Sequence, residues 1–380
     1  MTRETHGSRA RTLAVLYPAF ALTGILHSIG GPLMPSIAAS FNLRDSQSGL
    51  LFFLYFGGSS VGAILCRWNY ARSMAIGFAG AAACCLGVAV AGPVTLPIVF
   101  FLLGIGVGVP MSAISLYVGR SFPERCAPLL TFLNFVWSAG ALVAPLIAAR
   151  ILLRHTYRSA YEWMAVPSLI AAIACGALLK DAPEPSHAQR GSVQANSLAL
   201  IAAFALAAFL QVGVENTSTA WLSTYVMREA GIGAALAAAA TSIYWIGFLA
   251  SRGVCSAVLL RARTRIVFLF AVGLALVASL MLAVEPSPAG NQAAMFMLGV
   301  GLAPIYPLLI AEFLARANHT SEARWVMATA GFGGSVTPWL AGWISSRTGS
   351  LRMGMLTIPA SIALMVVLLP VLRGPRHAGE

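Results

Sequence analysis

Charge is what this sequence has least of. Only 9% of its 380 residues are Asp, Glu, Lys or Arg, against 58% that are hydrophobic. A soluble domain carries about 25% charged residues. A chain this poor in charge has no polar surface to show to water, so lipid must be its main solvent. Cysteine is sparse too. Cys66, Cys84, Cys85, Cys126, Cys175 and Cys255 lie in or beside apolar runs and lack CxxC spacing. They read as small apolar helix residues, not as a metal site or a disulfide framework. Catalytic-triad spacing and phosphate loops are missing as well. GVGVP (106–110) and GVGLAP (299–304) look glycine-rich, but they sit inside apolar runs and not after a strand. These absences exclude an enzyme, a cofactor and a bound metal.

Acidic residues number 12 against 24 basic ones, a net charge of +12. Nucleic acid is not the partner this implies, because nucleic-acid binders gather their charge on one face of a soluble fold. Here arginines punctuate long apolar runs, as expected of loops beside an anionic leaflet.

A membrane-crossing helix needs roughly 20 apolar residues. Cutting at charges and Gly/Pro turns predicts twelve spans: 12–36, 46–66, 73–92, 96–119, 127–150, 160–180, 197–227, 232–258, 264–284, 290–314, 323–345 and 352–372. The first run is too long for a signal h-region and is read as a retained span. The longest polar interruption, KDAPEPSHAQRGSVQAN (180–196), reads as a linker. The expected organisation is therefore a six-helix bundle over 1–180, a cytoplasmic linker over 181–196 and a second six-helix bundle over 197–380. With the N-terminus in the cytoplasm most basic residues fall on that side, among them Arg3, Arg67, Arg72, Arg120, Arg261, Arg263, Arg265 and Arg373. This places both termini on the cytoplasmic side of the cytoplasmic membrane. The cluster Arg150, Arg154 and Arg158 runs against the bias.

The halves repeat one another. FLLGIGVGVP (101–110) matches FMLGVGLAPI (296–305), and FLNFVWSAGALVAPLIA (132–148) aligns without gaps to WVMATAGFGGSVTPWLA (325–341). Gly140 falls on Gly333 and Pro145 on Pro338. Such a repeat marks a two-bundle transporter whose site lies at the repeat interface.

Short motifs carry a family resemblance. GGPLMPSIAASFNLRDSQSGLLFFLYFGG (30–58), VGVENTSTAWLSTYV (212–226), GLAPIYP (301–307) and GFGGSVTPWLAGWISSRTGSLR (331–352) resemble the fucose/glucose permease branch of the major facilitator superfamily. The resemblance implies an all-α membrane protein of two six-helix bundles related by a pseudo-two-fold axis. It also implies a monomer that moves a small solute by alternating access. Two departures stand out. The usual GxxxDRxGRR loop reads CRWNYARSM (66–74), and only arginines remain in its partner, RARTR (261–265). Spans 12–36 and 96–119 hold no Asp or Glu, so the branch's proton coupling does not carry over.

A transporter needs polar groups deep in its spans. Glu215 is the sharpest case, since a carboxylate in lipid costs several kcal/mol and should face the bundle interior. It can accept sugar hydroxyls, carry a coupling proton or ligate Na+; the competing role is a protonated structural group. Asn216 is its neighbour, and a locally unwound seventh span would let both contribute. Gln211 lies one turn earlier on the Glu215 face. Trp221 offers a sugar an apolar platform, or belongs to the interfacial aromatic belt. Asn134 and Trp137 share a face of the fifth span, and His27 is mid-span in the first. Tyr244 and Tyr306 complete the candidate binding set. Arg252, Glu312 and Arg316 are read as a cytoplasmic gate, with static helix-end charges as the alternative. The expected substrate is a hexose, moved with H+ or Na+ or by facilitated diffusion. The rivals are a proton-coupled exporter of drugs or metabolites on the same fold and a non-transporting receptor or lipid-binding membrane protein.

Overall fold

The computed structural model describes residues 6–66, 69–180, 198–284, 287–316 and 320–372. The linker expected at 181–196 lies outside the described residues. Every regular element is helical: α1 (His6–Ser28), α2 (Gly30–Phe41), α3 (Asp45–Leu65), α4 (Tyr70–Val90), α5 (Leu96–Ser121), α6 (Cys126–Leu152), α7 (Tyr157–Leu178), α8 (Leu198–Ala230), α9 (Ala234–Ala240), α10 (Ser242–Val258), α11 (Thr264–Val284), α12 (Pro288–Arg316), α13 (Thr320–Thr348), α14 (Leu351–Met355) and α15 (Thr357–Leu372), with one 3-10 turn at Pro123–Arg125. Counting α1–α2, α9–α10 and α14–α15 as broken spans, eleven are long and apolar enough to cross a membrane. The remaining predicted span is α13. It is 29 residues long but richer in Gly, Ser and Thr, and it turns Ser335, Thr337 and Ser345 into the protein instead of toward lipid.

The breaks follow from backbone chemistry. Proline has no N–H, so the carbonyl four residues before it loses its helical donor. Pro32 does this to Ser28, where α1 ends, and Pro359 does it to Met355, where α14 ends. At the α9–α10 break the Thr241 hydroxyl donates to the Ala238 carbonyl at 2.7 Å, offering the backbone a local alternative to the helix. The seventh span is not unwound. α8 runs unbroken over 33 residues, with no proline and a single glycine, Gly213, in its sequence.

Two compact units emerge. Unit one holds Met1–Leu43, Leu54–Ala188 and Gly231–Ser242; unit two holds Arg44–Phe53, Gln189–Ala230 and Ile243–Glu380. Within unit one, α4 packs against α5 and α7, and α1 against α6; within unit two, α8 packs against α13 and α15, and α11 against α12. The sequence repeat reappears as matched contacts. A Cβ on Gly104 would come 2.0 Å from the Tyr55 carbonyl oxygen in unit one, and a Cβ on Gly299 would come 2.0 Å from that of Tyr244 in unit two. Gly140 and Gly333 likewise sit against the carbonyls of Ala21 and Phe209, each at 2.1 Å. Backbones meet this closely only where the side chain is a hydrogen atom. Arg158, which runs against the charge bias, donates at 2.9 Å to the Ala89 carbonyl near the end of α4. It satisfies a helix C-terminus.

Candidate functional site

The polar residues expected in the spans divide into three groups. The first lies in unit one. His27, in the last turn of α1, is ringed by Phe56 at 5.1 Å, Trp137 at 5.3 Å and Tyr55 at 6.2 Å between ring centroids. The Tyr55 hydroxyl donates to the Leu26 carbonyl at 2.9 Å and so holds its ring against the end of α1. His27 and Trp137, predicted from separate spans, are thus brought together. Asn134 lies three residues before Trp137 but is exposed, and its amide donates to Leu130 of its own helix at 2.9 Å.

The second group lies in unit two. Gln211, fully buried on α8, donates through Nε2 to the Leu302 carbonyl of α12 at 3.1 Å. One turn on, half-buried Glu215 interacts electrostatically with Arg252 and Tyr244 of α10 and with Tyr306 of α12. The Arg252 guanidinium also lies 4.7 Å from the Phe248 ring centroid, a cation–π arrangement. A carboxylate and a guanidinium buried together form a neutral unit, far less costly than either alone. Around this pair, the Tyr244 hydroxyl and Gln211 Oε1 are buried with no hydrogen-bond partner among the described residues. Each has capacity to spare for a ligand hydroxyl.

The third group is spent on packing. The Asn216 amide donates to the Gly334 carbonyl of α13 at 3.1 Å, and Trp221 Nε1 donates to the Pro338 carbonyl at 2.8 Å. Trp221 is fully buried, its ring edge-on to Phe52 at 5.6 Å. It is neither an interfacial aromatic nor an open platform. Because α8 is continuous, consecutive Glu215 and Asn216 point about 100° apart. One therefore meets α10 and the other α13.

The expected gate residues also separate. Arg252 belongs with Glu215. Glu312 lies ten residues beyond Leu302, roughly 15 Å along α12 at 1.5 Å per residue, and lines a cavity with Arg265. Arg316 ends α12, and its side chain lies outside the described residues. Sequence reasoning missed a third charge site, in unit two. Arg228 donates two hydrogen bonds of 2.7 Å to Asp45, whose Oδ2 also accepts from Ser345 at 2.5 Å. Arg352 donates to Glu229 beside it. The available signal was opposite charge at the ends of apolar runs expected on the same side of the membrane.

Comparison with known proteins fits this helical architecture. The Major Facilitator Superfamily model matches residues 16–324. The chain belongs to the major facilitator superfamily. It is therefore a secondary transporter and not an enzyme. It is 25% identical to a glucose/galactose transporter of Brucella abortus, over 92% of this chain and 90% of that protein. It is 21% identical to the glucose/mannose transporter GlcP of Bacillus subtilis, over 91% of each. Among solved structures, a D-xylose-proton symporter superposes with a TM-score of 0.78 at 15% identity, covering 96% of this chain and 99% of that one. An inward-facing bacterial homolog of the human lysosomal transporter Spinster gives 0.74 at 14% identity, covering 97% of each. These structures establish the facilitator fold. The Gln211–Glu215–Arg252–Tyr244 cluster lies within these spans.

Proposed function

We propose that this transporter is a hexose permease of the cytoplasmic membrane, with both termini inside, and that the α8–α10–α12 cluster recognises the sugar. The observation that carries the reading is the company kept by Glu215. A carboxylate, a guanidinium, an amide oxygen and a phenol converge in the middle of apolar spans, two of them with unused hydrogen-bonding capacity. A hexose presents many hydroxyls, each able to donate and accept, and it needs such mixed partners. Relatives that span nine-tenths of the chain are named for glucose, galactose and mannose. Glu215, balanced by Arg252, is the group through which H+ or Na+ would couple to transport.

The test is uptake of labelled hexoses into proteoliposomes, at two pH values and with or without Na+. Saturable hexose uptake, lost in Glu215→Gln, supports the reading, and its pH or Na+ dependence names the coupling ion. Absence of hexose uptake, with proton-driven movement of amphipathic drugs instead, would replace it with an exporter.

A further inference from the structure

Unit two contains a cavity lined by residues outside the Glu215 cluster. It lies where α8, α11, α12 and α15 meet, has a volume of about 130 Å³ and is partly open. One water takes roughly 10–15 Å³ of such space, so several carbon groups fit. Its deep wall is hydrocarbon: Phe204 is fully buried and Leu309 nearly so, with Phe268 and Leu369 beside them. Its outer end is polar, formed by exposed Thr264 and Arg265 at the start of α11. Arg261 and Arg263, both exposed, precede it in the chain. Glu312 lines the α12 side.

We propose that this cavity binds an anionic phospholipid. An acyl segment fits the apolar wall, and the phosphate fits beside Arg265, where the guanidinium and the Thr264 hydroxyl both donate. Glu312 repels an anion on its own side and so sets the phosphate toward α11. Basic pockets between membrane helices favour anionic headgroups, and each nearby Arg adds to the attraction. A sugar does not suit the deep wall, where Phe204, Phe268, Leu309 and Leu369 offer its hydroxyls no partners. The assignment is independent of which solute is carried.

The experiment is thermal melting of the purified full chain in neutral detergent, titrated with dioleoylphosphatidylglycerol, dioleoylphosphatidylcholine or inorganic phosphate. A ligand of the folded state raises the melting temperature by mass action. Phosphatidylglycerol should raise it, phosphatidylcholine should do so much less, and phosphate should have no effect. Arg265→Gln should raise the half-saturating phosphatidylglycerol concentration about tenfold, the effect of losing one charge-assisted contact. Leu269→Trp, which fills the cavity, should abolish the preference; should that variant fail to fold, Arg265→Gln decides. Equal effects of the two lipids, or an unchanged response in Arg265→Gln, would overturn the proposal. So would a full shift with phosphate alone, which would leave a simple anion site. If Arg261→Gln with Arg263→Gln weakens the response as much as Arg265→Gln, the attraction is diffuse surface charge and the cavity assignment falls.

Discussion

The Asn216 amide donates to the Gly334 carbonyl, the group that Pro338, four residues on, leaves without a helical donor. An α8 side chain thus completes the backbone bonding of α13. Asn216→Ala should destabilise the protein by about 1 kcal/mol, the usual net value of such a bond. Pro338→Ala returns an N–H to the Gly334 carbonyl, so the two changes should not be additive. A double-mutant cycle on melting free energies reads the coupling, and strict additivity would refute the proline-repair account. Solute selectivity should not change in Asn216→Ala.

Matched glycines should fail alike. Gly104→Ala and Gly299→Ala each drive a methyl into a backbone carbonyl at 2.0 Å. Backbone cannot rotate away, so the cost should exceed the about 1–3 kcal/mol of ordinary overpacking. Gly80 and Gly273 meet nothing within 4 Å. There Gly→Ala should be neutral or slightly stabilising, since Ala favours the helix. Detergent-extracted yield and melting temperature of the four variants check this, and equal behaviour of all four would refute it.

The spans were legible because a membrane allows only long apolar helices, and the repeat because its glycines keep the same partners in both units. The helix breaks at Ile29 and Leu356 also had a readable cause, in Pro32 and Pro359. The irregular seventh span did not materialise, because α8 lacks the prolines that would break it. Partner choice was harder to read. Glu215 and Asn216 are neighbours in sequence, yet which helix each meets depends on packing that no single helix encodes. Sequence reasoning groups Arg252 with Glu312 nearer the helix ends, whereas the structure also sets it beside Glu215 of α8. His27 and Trp137 were found as polar or aromatic residues within spans, without a sign that they would touch.

The Asp45–Arg228 bridge makes a separate prediction. Asp45 accepts two hydrogen bonds from Arg228 and one from Ser345. Asp45→Asn removes the charge behind all three, whereas Arg228→Lys removes only the paired geometry. Both should lower stability, Asp45→Asn more. The arginine side chain is 43% exposed, so the effect should stay at about 1 kcal/mol. Melting in 0.05 M and 1 M NaCl should show wild type losing more with salt than Asp45→Asn, because screening reaches exposed charge first. Equal salt sensitivity would show that the bridge contributes nothing measurable.

Glu215 and Arg252 should behave as one electrostatic unit. Removing either charge leaves the other half-buried among apolar side chains. Breaking one partner of a buried pair costs about 3–5 kcal/mol, and partial exposure of both groups argues for the lower end. Glu215→Gln and Arg252→Gln should therefore each depress melting strongly. Combined, they remove both charges together, and the double variant should be more stable than either single one. Transport should not recover with stability, because the groups proposed to address the solute are gone. The decisive comparison is melting temperature against hexose uptake across the four proteins. Rescue of folding without rescue of uptake separates the structural cost of the charges from their use. If the double variant is as unstable as the sum of the singles, the two residues do not balance one another.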